Sequence, residues 1–126
     1  MGRGWFGFGI LIAFLILGFI TAEVTDKVHL PTEKLLVQAA EKTLSGDFEE
    51  AVDLGLQAKS RWDSHWNSTA AVADHSPMDE VDALFAEMEV YAKTEEKPHF
   101  AACCQELSQR IRAFADAHRF RWWNIL

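Results

Sequence analysis

Gly46-Asp47-Phe48-Glu49-Glu50-Ala51 is the stretch that decides how this chain folds. Gly46 follows a run whose apolar residues recur at helical spacing, and glycine readily takes the left-handed conformation that closes a helix. Asp47 then opens a second helix, and Glu50 three residues later completes a capping box. A helix stop and a helix start on adjacent residues make a tight helical hairpin. Outward from this turn, Leu35, Leu36, Ala39, Ala40 and Leu44 form the stripe of a helix from about Thr32, with Pro31 expected to end any helix before it. On the other side, Ala51, Val52, Gly55, Ala58, Trp62 and Trp66 form the buried face of a helix that fades between Trp66 and Ala71, where Asn67-Ser68-Thr69 weakens helix propensity.

A second hairpin follows. Ser76-Pro77-Met78-Asp79 reads as N-cap, first helical position and acidic first turn. Val81, Leu84, Phe85, Met88, Tyr91 and Ala92 give the stripe of this third helix. Thr94 to Lys97 is a turn, Pro98 starts the fourth helix, and Phe100, Cys103, Leu107, Ile111, Phe114 and His118 line its face. Sliding the chain by 52 residues brings Phe48 onto Phe100, Leu36 onto Met88, Ala40 onto Ala92 and Trp62 onto Phe114. The repeat predicts two hairpins of one design, each with a phenylalanine plugging its crotch. The turn is similar to that of tetratricopeptide hairpins in local geometry, without their 34-residue period. Neither hairpin can bury its stripe alone, so the two are expected to pair as a small antiparallel four-helix bundle.

Ahead of the bundle lies an apolar run. The nineteen residues Gly4–Ala22 carry no charge, and as a helix they cover roughly 28 Å, the hydrocarbon thickness of a bilayer. A cleaved signal peptide is the competing reading. It requires small residues at the cut, and with Ala22 at −1 the −3 position would be Ile20. A buried core helix is a poor match because the run has no polar face. The expectation is therefore an all-α protein with an N-terminal transmembrane anchor. Trp5, Phe6, Ile10, Leu11, Phe14, Leu15, Leu17 and Phe19 would contact lipid, with Trp5 and Phe6 at the interface. Residues 1–29 divide off as stub, anchor and juxtamembrane segment, and 30–126 as the helical domain. Arg3 and the amino terminus on the near flank, with Glu23, Asp26 and Lys27 on the far flank, predict a cytoplasmic N-terminus and an extracytoplasmic domain at the cell membrane.

Charge narrows the partners. Residues 23–98 hold 17 acidic against 7 basic side chains, while residues 99–126 hold 2 against 4. An acidic body argues against nucleic acid, whose phosphates demand a basic face. Cys103 and Cys104 are adjacent and cannot staple distant segments; they read as small apolar helix residues.

The features met so far, together with His75 ahead of the third helix and the terminal Asn124-Ile125-Leu126, resemble the bacterial family catalogued as domain of unknown function 4363. The resemblance covers nearly the whole chain. It implies small membrane-anchored helical proteins of spore-forming Gram-positive bacteria and brings no activity with it.

No motif for catalysis stands out. There is no Gly-x-Ser-x-Gly and no phosphate-binding glycine loop, and Glu49-Glu50 and Glu95-Glu96 point apart on a helix. His65, His75, Asp79 and Asp82 form the best candidate metal cluster. The plainer reading makes Asp79 a cap, Asp82 a solvated side chain, and His75 a loop residue against Trp62 or Trp66. No cofactor is expected and a small-molecule ligand is disfavoured. In the tail, Arg119 and Arg121 alternate with Phe120 and Trp122, and Trp123, Ile125 and Leu126 follow. Such a segment suits either a membrane interface or the open end of the bundle, and folding back onto the bundle is the expectation adopted. The sequence thus points to an interaction or scaffolding module of the cell envelope, not an enzyme, whose partners are the bilayer and another envelope protein. The alternative is a metal-binding or sensory module centred on His75.

Overall fold

The computed structural model describes residues 2–67 and 75–124, and within them all side chains except those at 18, 21–26, 28, 75 and 118–124. Four long helices hold most of the described residues: α1 (Gly2–Leu44), α2 (Phe48–Ser64), α3 (His75–Lys93) and α4 (Lys97–Asn124). No strand occurs among them. The all-α expectation holds. Among the described residues no helix is long and apolar enough to cross a membrane, so the expectation of a transmembrane anchor finds no support there.

The first departure from the sequence reading is at Pro31. It does not end a helix; α1 runs through it unbroken for 43 residues. Proline removes one backbone donor and crowds the preceding turn, at a cost of about 3 kcal/mol. Burial offsets this, because the apolar stripe extends on both sides of it. His29 and Thr32 are buried at 5 and 1 % exposure, as are Leu36, Ala39, Ala40 and Thr43 further along. Leu44, assigned above to that stripe, is instead 75 % exposed, and Thr43 takes the inward place with its hydroxyl donating to the Ala39 carbonyl at 2.9 Å.

The two hairpin turns share one construction. At the end of α1, Gly46 has φ +93°, its N–H donates to Thr43 O, and the Asp47 N–H donates to Lys42 O at 2.9 Å. At the end of α3, Glu95 has φ +56°, its N–H donates to Ala92 O, and the Glu96 N–H donates to Tyr91 O at 3.0 Å. Both are Schellman closures. Gly46 occupies the left-handed position without strain; Glu95 holds it at a cost that the paired carbonyls and the packed helices overcome. Asp47 caps α2 as expected, its carboxylate accepting from the Glu50 N–H at 3.2 Å.

Equivalent turn residues are therefore 49 apart (95 − 46, and 96 − 47), not 52. The correction has a consequence: Phe100 enters α4 one turn deeper than Phe48 enters α2. Phe100 is fully buried and Phe48 half-buried. The third helix starts at His75, one residue before the expected cap, and the fourth at Lys97, one before Pro98.

The core is graded in side-chain size. α1 and α2 contribute mostly small residues, Ala39, Ala40, Ala51, Gly55 and Ala58, with Leu36 and Trp62 as the large exceptions. α3 and α4 contribute Phe85, Met88, Phe100, Leu107, Ile111 and Phe114, which fill the space that leaves. A Cβ on Gly55 would lie 3.1 Å from Met88 Sδ and from Phe100 Cζ. α1 lies along both α2 and α4, and α3 lies along α4, whereas α2 and α3 touch sparsely. The bundle thus has three close seams and one loose one.

Candidate functional site

The loose seam is where chemistry collects. Trp62, on the inner face of α2, is 3 % exposed, and its indole N–H donates to Asp82 Oδ1 on α3 at 2.7 Å. Trp66, one turn on, donates its indole N–H to Asp82 Oδ2 at 2.9 Å. One carboxylate therefore ties two indoles across the gap. The expectation of a solvated Asp82 is overturned: Asp82 is half-buried, and each of its oxygens has an indole donor. Beside it Lys59 Nζ lies 3.2 Å from Asp63 and 3.4 Å from Glu89, joining α2 to α3 a second time. The hydrogen bond to Asp63 holds the Lys59 ammonium above its ordinary pKa, with Glu89 adding to the effect. Between these bridges an open cleft of about 520 Å³ is floored by Phe85.

This arrangement fastens helices. Lys59 is held protonated, and Asp82 accepts from two indoles, so neither is presented as a base or nucleophile. The candidate metal cluster, the less favoured alternative of the sequence reading, can be followed only among the described side chains. Among the described residues no three His, Cys, Asp or Glu side chains could hold a metal ion. Asp79 is exposed, His65 sits at the end of α2 with its N–H donating to Trp62 O, and Asp82 is engaged with tryptophan. The side chain of His75 lies outside the described residues.

Among the described residues, His29 meets Trp62. Its ring centroid is 5.8 Å from that of Trp62 and 5.4 Å from that of Phe114, edge-on to the latter. Trp62 and Phe114 meet each other at 6.1 Å. The division at residue 30 puts His29 in the juxtamembrane segment, outside the domain. Its signal was present, since positions 29, 32, 36, 39, 40 and 43 continue one helical stripe, and it was masked by reading Pro31 as a boundary.

Both cysteines are buried and free. Cys103 Sγ–H donates to the Leu84 carbonyl at 3.3 Å. Burial pushes both thiols up to about 12, so they are inert at neutral pH, in keeping with their reading as small core residues.

Two surfaces remain. The N-terminal part of α1 stands clear of the bundle, with Trp5 81 %, Phe6 72 % and Phe19 71 % exposed. Ile10, Leu11, Phe14, Leu15 and Leu17 are also exposed. At the other end of the chain, the backbone of Trp122 and Trp123 belongs to α4. The side chains of these two, and Ile125 and Leu126 altogether, lie outside the described residues, and with them the fold-back expected of the tail.

Comparison with known proteins agrees with the resemblance drawn from the residues. No curated protein and no solved structure matches the chain. A family model, described as Domain of unknown function (DUF4363), matches residues 19–125, from the last part of the apolar run through all four helices of the bundle. The chain belongs to the DUF4363 family.

Proposed function

We propose that this chain is a membrane-anchored, non-catalytic interaction module of the bacterial cell envelope. Gly4–Ala22 lies in the bilayer, the N-terminus faces the cytoplasm, and the bundle projects outside to hold another envelope protein. The observation that carries this reading is the exposure of the α1 apolar run, whose described side chains contact no other helix strongly enough to leave water. A contiguous apolar surface of that size needs a sink, and for a run of nineteen uncharged residues the bilayer is the fitting one. The unbroken course of α1 supports the rest of the reading. It would make the bundle a rigid continuation of the anchor, suited to presenting a surface at fixed height.

The test is extraction. The full chain should stay with membranes after carbonate washing and keep its N-terminal residues. A thiol probe that does not cross membranes should label Leu30→Cys, but not Gly2→Cys, in intact cells. Release by carbonate, or a mature chain beginning at Glu23, would remove the anchor from the proposal.

A further inference from the structure

An open groove of about 560 Å³ runs between α1 and α2, with Lys34, Leu35 and Gln38 on one side and Gln57, Ser60 and Arg61 on the other. No carboxylate lines it, on a chain with 19 acidic side chains against 12 basic. Elsewhere on the bundle cations meet acids: Lys42 meets Glu50, Lys59 meets Asp63 and Glu89, Arg110 meets Glu80 and Glu106, and Arg112 meets Glu33. Among the described residues no ion pair forms at Lys34 or at Arg61. Sequence spacing explains why. Arg110 finds Glu106 four residues before it. At that same spacing Arg61 has Gln57 and Lys34 has Gln38, and no Asp or Glu stands three or four residues from either cation. Glutamine matches glutamate in length but carries no charge, so both cations stay uncompensated. The carboxylate nearest by hydrogen bonding is Asp53, which accepts from Gln57 Nε2 at 2.9 Å and is not part of the lining.

We propose that this groove binds a phosphate group. Two like charges turned into one groove repel, and an anion between them reverses the sign of that interaction. The Arg61 guanidinium can grip two phosphate oxygens at once, and the Lys34 ammonium adds a point charge. Ser60 Oγ and the half-buried Gln38 amide bring neutral donors for the remaining oxygens. A carboxylate, with two oxygens, would leave part of this donor set unused. The cleft at the α2–α3 seam makes the contrast. There Lys59 is matched by Asp63 and Glu89, and Asp82 by two indoles, so its charges are satisfied within the protein. The phosphate can be carried by a lipid headgroup or by a soluble phosphate ester. The proposal rests on the groove alone and stands apart from the module reading above.

The test uses the full chain, isotope-labelled, in dodecyl maltoside micelles, which carry no phosphate. Inorganic phosphate is exchanged for chloride at fixed ionic strength, and NMR follows the Arg61 Nε–H and the Gln38 side-chain amide. Both should shift and saturate together. Arg61→Gln and Lys34→Gln should each weaken binding about tenfold, the loss of one charge-assisted hydrogen bond. Gln57→Glu should weaken it as well with both cations still present, because the new carboxylate pairs with Arg61. Lys93→Gln removes an equal charge from an exposed lysine of α3 and should leave binding unchanged. All four positions other than Lys93 are exposed or half-buried, and helical circular dichroism should be the same in every variant. Shifts that never saturate, or a loss with Lys93→Gln equal to that with Arg61→Gln, would mean diffuse attraction to surface charge and overturn the proposal. Full binding by Gln57→Glu overturns it too. A second arm in phosphatidylglycerol nanodiscs separates the sources. Resonances already shifted there, and unmoved by added phosphate, assign the groove to a headgroup; resonances that shift only when phosphate is added assign it to a soluble ester.

Discussion

Phe48 and Phe100 meet edge to face, ring centroids 5.3 Å apart, at the end of the bundle where both hairpins turn. Each is the first aromatic residue after its turn, one opening α2 and the other a turn into α4. Their contact closes that end of the core. Lys97 adds its ammonium 5.7 Å from the centre of the Phe48 ring.

Phe100→Ala should cost about 3–5 kcal/mol, the usual range for a fully buried phenylalanine. Phe48→Ala should cost less, since that ring is only half-buried. The double variant should fall short of the sum by about 0.5–1.5 kcal/mol, the coupling of an edge-to-face pair. Urea unfolding of the detergent-solubilised chain, followed by tryptophan fluorescence, measures all three; strict additivity would mean the rings do not interact.

Asp82→Ala should be worse than loss of either tryptophan donor alone. It strands two indole N–H groups at the loose seam, and hydrogen bonds to a charged acceptor are worth about 1.5–3 kcal/mol each. We expect a loss of about 3 kcal/mol or more, against about 1–2 kcal/mol for Trp66→Phe, which removes one donor and keeps most of the ring. A smaller loss for Asp82→Ala than for Trp66→Phe would show that the carboxylate does not hold the seam.

Gly55→Ala sets two effects against each other. Alanine in mid-helix gains about 1 kcal/mol over glycine. Here the new methyl would stand 3.1 Å from both Met88 Sδ and Phe100 Cζ. Met88 can swing aside, but Phe100 is fixed between α2 and the rest of the core, so overpacking wins. The expected outcome is a net loss of about 1 kcal/mol, and of 3 kcal/mol or more for Gly55→Leu, by thermal unfolding. A stabilised Gly55→Ala would place the fault in the close approach of α2.

The cysteines predict an alkaline weakness. Their folded pKa is raised from 9.0 to about 12, chiefly by burial. An acid with a raised folded pKa contributes stability that is whole below the unfolded value and lost as pH climbs toward the folded one. Stability should hold to about pH 9 and then fall toward pH 12, by up to about 1.4 kcal/mol per pH unit for each thiol. The Cys103→Ala/Cys104→Ala protein should fall less steeply over the same range. Iodoacetamide at pH 8 should label the folded wild type slowly and the urea-unfolded chain fast; equal rates would contradict the burial.

Much of this architecture was legible in the residues because it is local. Gly46 and Asp47 mark a turn by their own conformational preferences, and the stripes of α2, α3 and α4 repeat at helical spacing within a few residues. Family membership was legible for the same reason, since its features are short and sit in order. Pro31 was misread because its effect is not local. Proline weakens a helix by a fixed amount, but whether the helix breaks depends on what the flanking turns bury, and here they bury His29 and Thr32.

The sequence by itself determined the helices, the hairpins, the acidic body and the uncharged run Gly4–Ala22. Only the tertiary structure decided that one helix joins that run to the bundle and that His29 lies against Trp62 and Phe114. It also decided that Asp82 gathers two indoles, and that Leu44 faces outward in line with Leu30 and Val37. Those outcomes hang on which faces meet. A stripe in the sequence says that a face will be buried; the relative rotation and height of the helices, set by small residues such as Gly55 and Ala58 against large ones such as Phe100 and Phe85, decide what it is buried against.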